Sequence, residues 1–273
     1  MTDIENRDPL SYPTPTHASD PSSVLKQYAD ANNLNRRASL HEKYSVNRQG
    51  FMPWIRDHYL FKPGDDILEL GCGTGAIWKD RPDALPEGCS LLLTDFSRGM
   101  LDAARETLGE RPGILYQVVD IQAIPYPDAA FDAVIANMML YHVPDLNRAL
   151  SEVRRVLRPG GAFYCATYGE RGILHYLSEA LAAFGVADTL NRSFTRQNGG
   201  ALLKRYFREA RWEAYVDALE VTDVEDVADY LYSLAGLSSL DPALRPAIVE
   251  ALRARMVHGV LRIPKEYGMF ICR

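Results

Sequence analysis

The sequence has few cysteines, no cluster of positive charge and no long apolar run. Its four cysteines, Cys72, Cys89, Cys165 and Cys272, are far apart and form no C-x-x-C pair, which argues against a zinc site or a disulfide framework. The basic residues are scattered and the formal net charge is -6, so little surface suits the phosphates of DNA or long RNA. No apolar run approaches bilayer length, and the polar amino end lacks the apolar segment of a secretion signal. We expect a cytoplasmic protein without a metal site, a DNA partner or a membrane partner.

The apolar residues that are present suffice for a large core. At 273 residues, 47% of them hydrophobic, the chain is expected to form one large or two small domains. Short apolar runs alternate with helical patterns in its centre, which is typical of a parallel sheet covered on both faces. Ser97 and Asp145 are placed to cap two of these helices. The predicted organisation, in chain order, is a disordered tail at 1–23, amino-terminal helices at 24–62, a core at 63–168, a cap or substrate region at 169–210, and closing strands and helices at 211–273.

A glycine-rich turn follows the apolar segment 67–70. Gly71, Gly73 and Gly75 have no Cβ to keep a ligand away from the backbone, and they can adopt the positive φ of a tight strand-to-helix turn. Asp95 ends a second apolar run, where its carboxylate could accept both hydroxyls of a ribose. These residues predict a nucleoside pocket.

Two nucleosides fit the turn. Residues 71–76 also match the dinucleotide fingerprint, so spacing alone does not exclude a nicotinamide cofactor. S-adenosylmethionine is favoured because Glu69 would repel a pyrophosphate but attract an ammonium group. Asp120 ends a third apolar run, suited to accept the adenine amino group beside Ile121, and a fourth run delivers Asn137.

Residues 65–170 together resemble the class I S-adenosylmethionine-dependent methyltransferases. The motifs that carry the resemblance, in order, are Glu69-x-Gly-x-Gly-x-Gly, Asp95-Phe96-Ser97-x-x-Met100-Leu101, Asp120-Ile121, Phe131-Asp132 and Leu157-Arg158-Pro159-Gly160-Gly161. The resemblance implies an α/β fold: a doubly wound, Rossmann-like, mostly parallel sheet of seven strands, with amino-terminal helices and a helical cap after the fifth strand. It also implies S-adenosyl-L-methionine as cofactor, with S-adenosyl-L-homocysteine as product.

The resemblance further implies how the cofactor is held. Glu69 and the glycine loop, Cys72 included, would hold the methionine end, and Asp95 the ribose. The remaining implied contacts are Phe96 and Met100 on the adenine face, Asp120 and Ile121 on its edge, and Asn137 near the sulfonium. In the leading helices, Tyr44 or Arg48 could touch the methionine carboxylate, although Tyr44 could equally be a core residue. The sequence departs from the commonest relatives at Phe96, where a smaller residue is usual, and at Tyr141-His142.

Three residues are candidates for catalysis. His142 follows the fourth strand at the carboxyl edge, where ligands bind in such sheets, and could act as a general base or as a hydrogen-bonding wall. Tyr168 follows the fifth strand, and His175 falls in the predicted cap, where a surface role is equally open. His41 is a further candidate base.

These observations predict a methyltransferase for a small-molecule acceptor in secondary or cofactor metabolism, by O-, N- or C-methylation. Two alternatives stay open: a methyltransferase for RNA or protein, and a non-catalytic protein that binds S-adenosylmethionine. A nicotinamide oxidoreductase would leave Glu69 and Asp120 unexplained. The oligomeric state is open, with a homodimer as the candidate.

Overall fold

The computed structural model describes residues 39–273 except 80, 82, 83, 235, 236, 238 and 239. The predicted tail at 1–23, and the part of the predicted amino-terminal helices before residue 39, lie outside the described residues. The described chain divides into two compact units. The first unit comprises Phe61–Ile135 and Val143–Gly161, and the second unit comprises 39–60, Ala136–His142 and Ala162–Arg273.

The strands and helices with both ends among the described residues lie between residues 51 and 272. The strands are β1 (Asp66–Leu70), β2 (Ser90–Asp95), β3 (Ile114–Val118), β4 (Phe131–Ile135), β5 (Leu157–Tyr168), β6 (Ala210–Tyr215), β7 (Ala218–Val221), β8 (Leu261–Pro264) and β9 (Tyr267–Cys272). The helices are α1 (Phe51–Asp57), α2 (Arg98–Leu108), α3 (Leu146–Val156), α4 (Ile173–Ala180), α5 (Arg196–Leu203), α6 (Val224–Tyr232) and α7 (Arg245–Arg253). Among the residues that the structure describes, no helix has the length and apolar character needed to cross a membrane.

Seven strands form one sheet in the order β3-β2-β1-β4-β5-β9-β6. Strands β1 to β4 pair in parallel, and β9 is antiparallel to both β5 and β6. The predicted fold class, an α/β protein with a seven-stranded, mostly parallel sheet, is confirmed.

In the first unit, the local sequence signals produce the predicted elements. The apolar residues of the central strands are buried because both faces of the sheet are covered; Ile67 and Leu68 in β1 are fully buried. Ser97 caps α2 by accepting a hydrogen bond from the Met100 N–H (3.4 Å), and Asp145 caps α3 by accepting one from the Arg148 N–H (3.0 Å). Both predicted caps are therefore confirmed.

The second unit has an apolar core of its own. Strands β7 and β8 pair in a separate two-stranded antiparallel sheet. Leu177 of α4, Leu231 of α6 and Leu252 of α7 are fully buried in one cluster together with residues of this small sheet. The sequence did not predict this second sheet, because its two strands are 40 residues apart and each has only four residues.

The apolar pattern of residues 215–219 is typical of a single strand, but the structure has two strands there. Strand β6 ends at Tyr215 and β7 begins at Ala218. The Asp217 carboxylate accepts hydrogen bonds from the N–H groups of Asn47 (3.0 Å) and Ala218 (2.8 Å). Asp217 thereby fixes a corner that its local sequence does not reveal.

The spacing of Arg154, Arg155 and Arg158 near the end of α3 predicts a solvated outer helix face, but the last two of these side chains are hydrogen-bonded within the protein. Arg155 donates to the Ile124 and Tyr126 carbonyls (2.9 and 2.7 Å) and to Glu152 (2.7 Å). Arg158 pairs with Asp66 (2.9 Å) and with Asp132. The prediction is wrong for these two arginines, because Arg158 and, apart from Glu152, Arg155 have partners in distant parts of the chain.

Candidate functional site

The glycine turn after β1 has the backbone geometry that the sequence predicted. Gly71, Gly73 and Gly75 have φ values of 69°, 56° and 70°, a region that side chains with a Cβ rarely adopt. The turn leads directly into a short 3₁₀ helix at Ala76–Trp78. The positive φ of all three glycines is therefore confirmed.

Two of these glycines serve different purposes. A Cβ built on Gly73 would meet no atom within 4 Å, so the backbone there is open to a ligand. A Cβ on Gly75 would lie 2.9 Å from Cδ1 of Leu108 in α2. Gly75 is thus required by the packing of α2 against the turn, whereas Gly73 leaves room for a bound molecule.

The Asp95 carboxylate connects the glycine turn to the end of β2. One of its oxygens accepts the Gly73 N–H (3.0 Å) and the other accepts the Ser97 N–H (2.8 Å). A carboxylate oxygen has two lone pairs, so each oxygen keeps the capacity to accept a further hydrogen bond. Burial raises the pKa of Asp95, while backbone N–H groups, that of Ser97 foremost, oppose the shift. This arrangement suits two neighbouring ligand hydroxyls.

Glu69, two residues before the turn, is a buried carboxylate. It is 3% exposed and accepts a hydrogen bond from Nε1 of Trp78 (2.6 Å). Burial raises the pKa of Glu69 to about 7; the Trp78 hydrogen bond lowers it, and the charge of Asp95 adds to the rise. A cationic ligand would offset both the free-energy cost of burying the Glu69 charge and the repulsion between Glu69 and Asp95. This carboxylate acceptor therefore fits an ammonium group, which donates hydrogen bonds and carries a positive charge.

Trp78 is a site residue that the sequence analysis missed. It is 1% exposed and lies nine positions after Glu69, in the 3₁₀ helix that follows the turn. A buried tryptophan usually needs a hydrogen-bond acceptor for its N–H. That requirement is the one signal that could have linked Trp78 to Glu69.

The other residues implied at the methionine and adenine ends also lie in the first unit. Cys72 is 8% exposed and donates its N–H to the Thr94 carbonyl (2.8 Å), and burial raises the pKa of its thiol. Phe96 and Met100 are half-buried at the start of α2. Their contacts with the cofactor stay predictions.

Asp120 and Ile121 form the turn after β3. The Asp120 carboxylate accepts the Gln122 N–H (2.8 Å) and also a hydrogen bond from the Gln122 side-chain amide (3.2 Å). Ile121 is 5% exposed. Recognition of the adenine edge by these two residues stays a prediction, and Gln122 is a further residue at this turn.

Asn137 and Tyr44 lie in the second unit. The Asn137 side chain accepts the Ala166 N–H (3.1 Å) and donates to the Tyr59 hydroxyl (2.7 Å). Tyr44 is 5% exposed, and its hydroxyl donates to Asp226 (2.5 Å). These bonds account for Tyr44 as a core residue, the alternative open from the sequence. The cofactor contacts of both residues stay predictions.

The structure brings two of the three catalytic candidates together. The Tyr141 ring lies 4.5 Å from the His142 ring and is stacked at 4.5 Å on the Tyr168 ring. Burial lowers the pKa of half-buried His142 and raises that of Tyr168, whose hydroxyl donates to the Asn191 carbonyl (2.9 Å). At neutral pH, His142 is the better proton acceptor of the two, because Tyr168 stays a neutral phenol.

The third candidate, His175, is on the surface of α4. Its ring faces Glu179 (3.5 Å) and Asp188 (4.0 Å). This placement favours the surface role that the sequence left open. Across the described ranges, no three His, Cys, Asp or Glu side chains are grouped so that they could hold a metal ion.

Comparisons with known proteins identify the family. A model of the methyltransferase domain matches residues 68–165. The chain is 38% identical over 109 residues to a demethylmenaquinone methyltransferase of Symbiobacterium thermophilum, an alignment that spans 38% of this chain but only 43% of that protein. It is 31% identical over 182 residues to a malonyl-[acyl-carrier protein] O-methyltransferase of Geobacter sulfurreducens, covering 64% of this chain and 67% of that protein. The chain belongs to the class I S-adenosylmethionine-dependent methyltransferases.

Solved structures share the fold of this methyltransferase over almost its whole length. The [4+2]-cyclase SpnF superposes with a TM-score of 0.57 at 18% identity, covering 96% of this chain and 97% of that one. At such low identity the likeness shows the fold alone. The reaction must be argued from the residues of the site.

Proposed function

We propose that this methyltransferase transfers the methyl group of S-adenosylmethionine to a small-molecule acceptor. The observation that carries the proposal is a pair of carboxylates near the ends of neighbouring parallel strands, the buried Glu69 on β1 and the half-buried Asp95 on β2. Ligands of open α/β sheets bind at the carboxyl ends of the strands. A nucleoside that carries a cationic amino acid chain complements both carboxylates.

Each carboxylate has its own part in binding. Glu69, held by Trp78, would bind the ammonium group of the methionine end, and Asp95 would accept the ribose hydroxyls with its remaining lone pairs. Gly73 would let the ligand approach the backbone. When bound, S-adenosylmethionine supplies an activated methyl group whose leaving group departs as a neutral thioether, so alignment of the acceptor is the main task of the protein.

The names of the two relatives indicate a kind of acceptor rather than a particular compound. One relative acts on demethylmenaquinone, and the other is named as an O-methyltransferase for a malonyl group on a carrier protein. Because the first alignment spans less than half of that relative, its acceptor is not transferred to this chain. For an acceptor that must lose a proton, we propose His142 as the general base, a role worth about two to four orders of magnitude in rate.

Calorimetry and a transfer assay test this proposal. The purified chain is titrated with S-adenosylmethionine, S-adenosylhomocysteine and NAD, and only the first two are expected to give binding heat. Methyl-labelled cofactor is then incubated with separated metabolite, RNA and protein fractions. Label in the metabolite fraction supports a small-molecule acceptor, whereas label only in RNA or protein supports the alternative. Tight binding without turnover on any fraction would indicate a non-catalytic binding protein.

A further inference from the structure

A loop of the second unit holds the chain segment that carries His142. This loop, residues 188–195, is named here the clasp loop. The Asn191 side-chain amide and the Ser193 hydroxyl both donate to the Tyr141 carbonyl, at 2.6 and 2.8 Å. In return the Asn191 carbonyl accepts the Tyr168 hydroxyl at 2.9 Å. The clasp loop therefore contacts both residues of the Tyr141–Tyr168 ring stack, through the backbone carbonyl of the first and the hydroxyl of the second.

The clasp loop is itself fixed by polar contacts. The Asn191 side chain accepts the Ser193 N–H (3.0 Å), and Arg192 pairs with Asp188 (2.6 Å). Farther along, the Phe194 carbonyl accepts the Thr167 hydroxyl of β5 (3.1 Å). A loop anchored in this way can impose a geometry on the group that it touches.

The two hydrogen bonds to the Tyr141 carbonyl matter because this carbonyl directly precedes His142 in the chain. That carbonyl and the His142 N–H belong to one planar peptide unit. The clasp loop holds the carbonyl with two donors, and the Met139 carbonyl accepts the His142 N–H at 2.9 Å. The peptide plane that precedes His142 is therefore held at both of its polar atoms. The backbone that carries the imidazole consequently has little conformational freedom.

We propose that Asn191 and Ser193 are positioning residues, which hold His142 in one orientation as proton acceptor for an acceptor substrate with an ionisable hydroxyl or an acidic carbon. The inference rests on the proposed methyl transfer. A neutral amine would attack the methyl group unaided, so a fixed base is useful only where the acceptor must lose a proton. Displacing a reacting group by about 1 Å can cost roughly a hundredfold in rate.

A titratable side chain in ring contact with His142 is that of Tyr141, on whose ring the Tyr168 ring of β5 is stacked. Burial is the cause of the lowered pKa of His142. A change in how firmly the turn is held should therefore appear as a change in hydration, and hence in the pKa of His142.

The test uses the whole chain and three variants. Asn191→Ala and Ser193→Ala each remove one donor to the Tyr141 carbonyl, and Thr189→Ala changes an exposed side chain of the same loop. The histidine C–H resonances are titrated by NMR, with His142 assigned from its absence in His142→Gln. We expect the pKa of His142 to lie below its ordinary value in wild type and Thr189→Ala, and to rise toward it in the other two variants. We also expect kcat to fall about tenfold in Asn191→Ala, with S-adenosylmethionine affinity within twofold of wild type.

Identical His142 titration curves in Asn191→Ala, Ser193→Ala and Thr189→Ala would overturn the inference. So would a natural acceptor that is a neutral amine and is methylated independently of His142. If Asn191→Ala fails to fold, Ser193→Ala tests the same contact and keeps the shorter hydrogen bond, which Asn191 donates to the Tyr141 carbonyl. Failure of the proposed function would give a different result. The wild-type chain would then show no binding heat with S-adenosylmethionine, whatever the pKa of His142 in the variants.

Discussion

Gly73 donates its backbone N–H to the Asp95 carboxylate across 3.0 Å. This bond joins the glycine turn after β1 to the end of β2, so the two elements expected to hold the cofactor are already connected to each other. The other Asp95 oxygen is held by the Ser97 N–H, at the cap of α2. The carboxylate is thereby oriented before any ligand arrives, which reduces the entropy cost of binding.

Alanine at Gly73 and at Gly75 should separate binding from stability. Gly75→Ala is expected to lower the free energy of unfolding by about 1–3 kcal/mol more than Gly185→Ala, because the new Cβ meets Leu108. Gly185 is the matched control, since it has similar backbone angles and open space around it. Gly73→Ala should match Gly185→Ala in urea denaturation yet weaken S-adenosylmethionine binding. Equal stability of the Gly75 and Gly185 variants would contradict this view of the turn.

The affinity for S-adenosylmethionine should depend on pH through Glu69. The pKa of Glu69 is about 7 without ligand, and a bound ammonium group would lower it, so binding releases a proton. Affinity is therefore expected to rise between pH 5.5 and 7.5. Calorimetry in two buffers of different ionisation enthalpy measures the released proton directly.

Glu69→Gln provides the comparison for this prediction. It should bind more weakly and without the pH dependence, whereas Asp102→Asn, a change at an exposed position of α2, should behave as wild type. A pH dependence that survives in Glu69→Gln would show that another group is responsible.

Acid should destabilise the second unit through His41. Its ring lies between the rings of Tyr230 and Tyr267, at 6.3 and 6.1 Å. Burial, then the charge of Lys265, lowers the pKa of His41 to about 4, while Asp217 opposes the shift. Because the folded state disfavours the charged ring, stability is complete above the unfolded pKa of about 6.5 and is lost as pH falls from 6.5 to 4. The loss is up to about 3 kcal/mol.

Urea denaturation at pH 7 and 4.5 measures this loss. His41→Gln should lose less stability than wild type over that interval, and His175→Gln, at a surface histidine, should lose as much as wild type. Because the pKa of Glu69 is raised in the folded state, acid favours folding through this group, in the opposite direction to His41. Subtracting the stability loss of His41→Gln from that of wild type removes the Glu69 contribution. An equal loss in His41→Gln would show that His41 is not the responsible group.

The two catalytic candidates should respond differently to substitution. His142→Gln is expected to reduce the rate of S-adenosylhomocysteine formation by about two to four orders of magnitude, since it removes the proposed base. Tyr168→Phe removes only a hydroxyl that donates to the Asn191 carbonyl, and should retain activity within about tenfold with an unchanged pH profile. Loss of activity in Tyr168→Phe with retention in His142→Gln would reverse the two roles.

Local sequence was sufficient for the features that depend on near neighbours. The positive φ of the glycines, the caps at Ser97 and Asp145, and the strand that ends at Asp95 all follow from residues close in the chain. Such features depend on backbone sterics and on hydrogen bonds within one turn, which a single sequence exposes.

Contacts between distant residues could not be predicted in this way. Tyr44 meets Asp226 across 182 positions, and Asn191 meets Tyr141 across 50. Neither pair has a local pattern, because the side chains are brought together only when separate elements pack. For the same reason, the local spacing of Arg158 predicts a solvated side chain, although Arg158 pairs with the distant Asp66.

Calorimetric titration of wild type and Asp95→Ala with S-adenosylmethionine is the most direct test of the account. Wild type should bind, and Asp95→Ala should lose about a hundredfold or more in affinity, because hydrogen bonds to a charged group contribute about 1.5–3 kcal/mol each. Asp102→Asn should bind as wild type does. Equal binding by Asp95→Ala, or no heat with wild type, would contradict the assignment of this turn as the cofactor site.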